Sequence, residues 1–226
     1  MITRVRIEAY PGRRPSLAAE GGLAARLTGA DRVHLVSAAA TPVGDDEITV
    51  DVTVHAGAVL ELTTVAATVV YPGRTSGRST TRWLLTVGDG ARLDLAPEPT
   101  IVAGGAAHMN STELDLEPGG SARVVERVQL GRLGEPGGTW SGRLAVDLGG
   151  MPHLRHTVEL AQGAAVPDRA LLSAYEFPGT AVPLASIPPS YAAAVLPLER
   201  GGSLTTVTGH RVADLGDELL LARASL

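Results

Sequence analysis

The chain has 226 residues, 44% of them hydrophobic and only 3% aromatic, with a net charge of −5. That is enough apolar material for one large all-β domain, and it excludes wholesale disorder and a basic nucleic-acid footprint. There is no Cys, and all nineteen basic residues are Arg. A disulfide framework, a thiolate zinc site, a cysteine nucleophile, Schiff-base chemistry and a Lys-dependent phosphate loop are therefore excluded.

At the N-terminus, Met1–Arg6 carries charges with no apolar signal region behind it. No uncharged apolar run approaches the ~18 residues a spanning helix needs. The expectation is a cytoplasmic protein with no membrane association. Leu17–Leu27 is Ala-rich and helical in composition, but Gly21-Gly22 breaks it. Arg32–Val36 reads as a strand. Ile48–Val54 alternates cleanly, with Ile48, Val50, Val52 and Val54 on one face and Thr49, Asp51 and Thr53 on the other, the period of a half-buried strand. Leu60–Val70 is a longer run rich in β-branched residues. Further strands are predicted at Thr80–Val87, Arg92–Leu95, Thr112–Leu116, Ala122–Leu130, Leu144–Leu148 and His153–Leu160. Pro and Gly punctuate between them. Tyr191–Leu196 and Asp214–Ala224 carry helical patterns, weakened in the second by Gly216.

One short phrase recurs: an apolar residue, two spacers, a glycine, then a strand-like alternation. It stands at Val54–Gly57, Val87–Gly90, Leu116–Gly119 and Leu160–Gly163. The glycines are 90 − 57 = 33, 119 − 90 = 29 and 163 − 119 = 44 residues apart. A period near thirty with turn residues at a fixed offset predicts a β-helical, solenoid-like stack of hairpins. The expected organisation is a single β-rich domain over residues 1–226, mainly β with a few short helices and a helical C-terminal part from about residue 167.

Catalytic motifs are absent: no Gly-x-Ser-x-Gly elbow, no Walker loop, no Gly-x-Gly-x-x-Gly after a strand. A nucleophile–base triad assembled only in space would leave no such trace. His153 and His156 are the one close histidine pair; a spacing of three puts them on opposite faces of a strand unless the backbone bulges. Four carboxylates stand out. Asp46 follows Gly44-Asp45 in a turn and reads as turn chemistry or a contact. Glu98 is pinned between Pro97 and Pro99, as a ligand or as a solvated loop residue. Glu126 interrupts a Val-rich strand in a position that reads as solvent-facing. Glu135 follows Gly131-Arg132-Leu133-Gly134 and can pair with Arg132 across the turn. Thr63–Tyr71 is uncharged, small and β-branched; it reads as a buried central strand or as an edge covered by a partner.

Taken in order, these phrases resemble the urease accessory proteins of the UreD/UreH type. The residues that carry the resemblance are Gly44, Asp46 and Ile48; Gly57-Ala58-x-Leu60; Thr63-Thr64-x-Ala66-Ala67-Thr68 with Tyr71; Pro97-Glu98-Pro99-x-Ile101; and Gly131-Arg132 with Gly134-Glu135. They span roughly Val43 to Glu135. The resemblance implies a non-enzymatic β-helical scaffold that binds urease apoprotein and companion accessory proteins, one of them a GTPase. It also implies delivery of Ni²⁺ to the urease active site, with a conduit through the scaffold's interior. No tightly bound cofactor is implied, only transient Ni²⁺. Asp46, Glu98, Glu126 and Glu135 are the candidate relay ligands, since sparse oxygen donors can bind Ni²⁺ and still release it. Thr63, Thr64, Thr68, Tyr71 and Arg132 are the candidate partner contacts, with self-association inside the complex a further expectation. The sequence departs from the pattern at Val65, where the family usually has Gln, and at Val69, where it has Lys; the Gly-Arg…Gly-Glu segment is compressed. The alternative reading is a β-solenoid module for carbohydrate or another ligand. That reading requires exposed aromatics, and the seven in this chain are dispersed in sequence.

Overall fold

The structure is a computed structural model and describes residues 1–74, 77–161, 168–179 and 191–215. Two hairpins open the chain: β1 (Ile2–Tyr10) with β2 (Arg13–Glu20), and β3 (Leu23–Leu27) with β4 (Arg32–Ser37). The middle of the chain supplies β5 (Glu47–Val54), β6 (Val59–Thr64), β7 (Thr68–Val70), β8 (Ser79–Val87), β9 (Arg92–Leu95), β10 (Thr100–Val102), β11 (Ala107–Leu116), β12 (Ser121–Leu130) and β13 (Thr139–Leu148). Then come β14 (Met151–Ala161), β15 (Ala170–Phe177), β16 (Ala192–Pro197) and β17 (Ser203–Gly209). A single 3₁₀ turn, Val212–Asp214, is the one helical element among the described residues.

The middle strands coil. One sheet runs in the order β14-β13-β11-β8-β5-β1-β2, with β1, β5, β8, β11 and β13 parallel. The second runs β16-β17-β15-β12-β9-β6-β4-β3, with β4, β6, β9 and β12 parallel. A short third ladder joins β7, β10 and the last residues of β12, again in parallel. Each coil gives one strand to each side, and the result is a β-solenoid of about four turns. Antiparallel hairpins cap the two ends, so the repeating unit itself is a parallel coil.

The periodic glycine phrase is the coil's corner. Gly57 donates its N–H to the Asp89 carbonyl at 3.0 Å, and Gly90 donates to the Gly119 carbonyl at 3.1 Å. Successive corners therefore sit one above the next. Gly57 and Gly90 have φ of +72° and +64°, which side chains with a Cβ rarely adopt. The fourth occurrence, at Leu160–Gly163, extends past the end of β14 into residues outside those described.

In-register stacking turns a period-two pattern into a core. Ile7, Val52, Leu85, Leu114 and Val146 lie on one rung of the first sheet; they meet Leu35, Leu60, Leu93 and Val124 from the second. Each side chain fully buried this way contributes about 1.5–3 kcal/mol. A smaller cluster of Val70, Val102, Val128, Leu130, Trp140 and Leu171 fills the corner behind the third ladder.

The break expected at Gly21-Gly22 is present: Leu17–Leu27 ends β2 and forms β3, because Gly21 brings the chain against Ile2 and Thr3, where an added Cβ would lie 2.6 Å from the Ile2 carbonyl oxygen. Three local expectations fail. The part from about residue 167 is not helical over most of its described residues: it carries β15, β16 and β17. Tyr191–Leu196 is strand, since β16 pairs antiparallel with β17 and that pairing overrides the helix propensity of its Ala run. Leu60–Val70 is two strands, with Val65, Ala66 and Ala67 exposed at the bend between them. Of the predicted C-terminal helix at Asp214–Ala224, residues 216–224 lie outside the described residues.

Candidate functional site

Between the two sheets, on the side of the third ladder, lies a cavity of about 270 Å³. Leu35, Ile48, Val50, Trp83, Leu95 and Val124 make its apolar walls, and His108, Asn110, Thr112 and Glu126 supply the polar floor. The cavity reaches the surface at the bend between β6 and β7, where Val65 is 61% exposed, and beside the exposed Glu98.

Glu126 is the chemical centre of this space. On β12 it shares parity with Ala122, Val124, Val128 and Leu130, so it faces the interior, and the expectation that it faces solvent is wrong. Asn110 on β11 donates its Nδ2–H to Glu126 Oε1. Burial pushes the Glu126 carboxyl up to about 7, against the lowering effect of the Asn110 amide. The group therefore changes charge near neutral pH. His108 lies on the floor of the same cavity, its Nδ1 2.9 Å from Ser79 Oγ. Burial pulls His108 down to about 4, so the imidazole is neutral at pH 7.

Behind Glu126 is a second void of about 20 Å³, lined by Thr112, Trp140, His156, Val158, Leu171 and Ser173 among others. It is water-sized. The Nε1 of Trp140 and the Nε2 of His156 are buried without a hydrogen-bond partner. Burial lowers the His156 pKa. The register of β13 with β14 shifts between Val146 and Asp147, which face Leu154 and Pro152, so His153 is an extra, bulged residue. That bulge lets His153 pack edge-on to Tyr175 and Phe177 while His156 also points inward. Among the described residues no three His, Asp or Glu side chains converge as a metal cage.

The other candidate ligands fall elsewhere. Asp46 is buried, and its carboxylate accepts from Thr41 Oγ1 at 2.8 Å, from the Val43 N–H at 2.9 Å and from the amino group of Met1. Desolvation opposes the charge, but these hydrogen bonds win and hold its pKa below the ordinary value. Glu135 accepts from Arg132 Nε at 2.6 Å and Nη2 at 3.2 Å, and from the N–H groups of Arg132 and Gly104 at 3.2 Å. The Arg132 side chain above all depresses its pKa, to about 2. Both carboxylates act as clamps on turns, and the Arg132–Glu135 pairing is the turn-bridging one. Glu98 sits at the cavity mouth, where its N–H donates to Thr64 Oγ1 at 3.0 Å.

The candidate partner contacts line the same corner. Thr63 Oγ1 donates to the Ala96 carbonyl at 2.7 Å, and Thr64 Oγ1 donates to the Ala66 carbonyl at 3.0 Å. Thr68 lines the cavity. Tyr71 is 41% exposed, with the Arg132 guanidinium 5.6 Å from its ring centroid. Trp83 and Trp140 are buried, so neither offers a sugar platform.

Comparison with known sequences adds the decisive observation. Residues 19–224 match the sequence model of the family described as UreD urease accessory protein. The chain belongs to the UreD family. Among curated UreD proteins, that of Frankia alni is 47% identical over 118 residues, 52% of this chain and 40% of the relative. The UreD of Streptomyces avermitilis is 42% identical over 157 residues, 68% of this chain and 62% of the relative. The protein named UreD 3 of Streptomyces griseus is 36% identical over 171 residues, 70% of this chain and 66% of the relative. The match thus spans between about two fifths and two thirds of these relatives. In this UreD chain the described residues contain no helix long and apolar enough to cross a membrane.

Proposed function

We propose that this chain serves urease maturation as a scaffold without turnover of its own. In this reading it holds urease apoprotein together with companion accessory proteins, one of them a GTPase, in the cytoplasm, and passes Ni²⁺ toward the urease active site. The family supports the urease accessory role, since its relatives carry that name. The observation that carries the nickel step is Glu126: an inward-facing carboxyl, titrating near 7, placed between a surface-connected cavity and a second void.

The chemistry suits cargo rather than a resident metal. Glu98 offers an oxygen donor at the mouth and Glu126 one inside, while Asp46 and Glu135 have their oxygens engaged in turn clamps. One or two oxygen donors bind Ni²⁺ weakly enough to release it. The His156 imidazole, its pKa lowered by burial, is a further donor beyond Glu126. Protonation of Glu126 would discharge the ion, which is how a group titrating near neutrality differs from a fixed carboxylate.

Co-expression with urease subunits and the companion proteins tests this directly. Glu126→Gln keeps the shape and removes the charge; it should lower nickel per urease active site while leaving the chain folded. Wild-type nickel loading by Glu126→Gln would remove Glu126 from the account. The carbohydrate-module reading is disfavoured, because both Trp side chains are in the core and Tyr71 is the one exposed aromatic ring among the described residues.

A further inference from the structure

Five strands bring polar side chains to one small space behind Glu126. Asn110, Gly142 and Val158 share a rung of the first sheet, and Thr112, Leu144 and His156 share the next. Glu126 and Ser173, register partners on β12 and β15, face them from the second sheet. Between them lies the void of about 20 Å³, with Trp140 as a further wall. Asn110 occupies Glu126 Oε1, and Oε2 turns toward β13. There it meets Gly142, where an added Cβ would lie 3.0 Å from Oε2 and 2.5 Å from Trp140 Cζ2. A side chain at 142 would close the space. Glycine keeps it open, although the backbone at 142 is not in the left-handed region that favours glycine.

Two nitrogens border this space without a hydrogen-bond partner. One is Nε1 of Trp140, a residue 2% exposed; the other is the buried Nε2 of His156. A buried donor left unmatched costs its full desolvation penalty. The chemistry of the walls selects what can match it. The indole Nε1–H only donates, so the resident must accept, which a cation does not do. The Glu126 carboxylate only accepts, so the resident must also donate, which a halide does not do. A void of about 20 Å³ holds about one water and nothing larger. Water meets all three conditions. It accepts from Trp140 Nε1–H, donates to Glu126 Oε2, and donates to His156 Nε2 when the imidazole carries its proton on Nδ1. Three hydrogen bonds are the usual complement of a buried water.

We infer that this void is the site of one resident water, held by Trp140 and His156 and bonded to Glu126 Oε2. Trp140 and His156 are then positioning residues. Through the water they fix the second oxygen of the carboxyl, as Asn110 fixes the first directly. The water also ties β12 of the second sheet to β13 and β14 of the first. The site follows from packing and hydrogen-bond matching, and it stands whether or not nickel passes Glu126.

The test is nuclear magnetic resonance on the full chain labelled with ¹⁵N and ¹³C. The two tryptophans, Trp83 and Trp140, give two indole N–H signals. In rotating-frame spectra, contact with a long-lived water and exchange with solvent give cross-peaks of opposite sign. Trp140 Hε1 should show the contact sign at the water frequency. A nearby hydroxyl imitates that signal, so a double variant, Thr112→Val with Ser173→Ala, removes the two hydroxyls lining the void. The cross-peak should persist in it. His156→Phe should weaken the cross-peak at least ~3-fold, since the water falls from three partners to two. It should also shift the Glu126 carboxyl ¹³C signal. His156→Gln, whose amide replaces Nε2 as a partner, should restore both. Absence of the contact cross-peak in the wild-type chain, or its loss in the hydroxyl double variant, overturns the site. A full-strength cross-peak with an unmoved Glu126 signal in His156→Phe overturns the role of His156. Each of these results leaves the proposed function standing, because nickel loading is read in separate preparations.

Discussion

Glu126 and His108 share one cavity, and their titrations oppose each other, which gives a prediction that single variants expose. Glu126 moves from an ordinary 4.5 to about 7 in the folded chain. Its folded pKa is raised, so its stabilising contribution is full below about pH 4.5 and is lost as pH rises to about 7. The shift of about 2.5 units corresponds to ~3 kcal/mol, an upper bound because the cavity admits water. His108 moves from 6.5 to about 4. A base with a lowered pKa loses stability as pH falls from about 6.5 to about 4, by ~3 kcal/mol on the same conversion. Between about pH 4.5 and 6.5 the two contributions cancel, and the wild-type chain should show little dependence on either group. Glu126→Gln removes one of them. Its stability relative to wild type should grow with pH, reaching ~3 kcal/mol by pH 8, or roughly 6–12 °C in melting temperature for a chain of this size. Thermal and urea unfolding of both proteins at half-unit steps from pH 4.5 to 8 gives that difference curve. A difference that stays constant with pH would mean that Glu126 ionises normally in water, and the buried-carboxyl reasoning would fail.

Other consequences can be checked separately. Gly138→Ala drives a Cβ onto the Ala106 carbonyl oxygen and to 2.7 Å from the Ala103 carbonyl oxygen; backbone cannot yield there, so urea unfolding should show a loss of about 1–3 kcal/mol. Asp46→Ala strips the acceptor from the Thr41 hydroxyl and the Val43 N–H, and should cost about 1–3 kcal/mol in the same assay. Glu135→Ala frees the loop tip, so trypsin should cut after Arg132 faster than in wild type while cutting elsewhere at unchanged rates. The Glu135 clamp should also weaken as pH falls from about 4.5 toward 2, with cleavage after Arg132 by an acid-tolerant protease of suitable specificity as the readout.

The coil was legible because its signals are local and repeated. Ile48–Val54 and Arg92–Leu95 declare their inward faces by alternation alone, and Gly57 and Gly90 mark corners because the backbone there needs positive φ. The third ladder was not legible: β7 and β10 have three residues each, too short for a period to show. Tyr191–Leu196 misled because an Ala run carries helix propensity, while the pairing with β17 that decides its state lies elsewhere in the chain. Glu126 is the instructive case. A carboxylate in a strand invites a solvent-facing reading, yet its parity with Val124, Val128 and Leu130 already placed it inward. What the sequence could not show was the cavity, which exists only once Trp83, Leu95 and Asn110 from other coils are brought around it. Asp46 and Glu135 were found as unusual carboxylates, but their engaged oxygens depend on Thr41, Val43 and Gly104, contacts that spacing alone does not reveal.

The central claim is that an interior carboxyl of this scaffold helps carry nickel to urease. The measurement that bears on it most directly is nickel per active site in urease purified after co-expression with the companion proteins and either no chain, wild type or Glu126→Gln. The account predicts high loading with wild type, low loading without the chain, and intermediate or low loading with Glu126→Gln despite normal complex formation. Equal nickel content in all three preparations would contradict it.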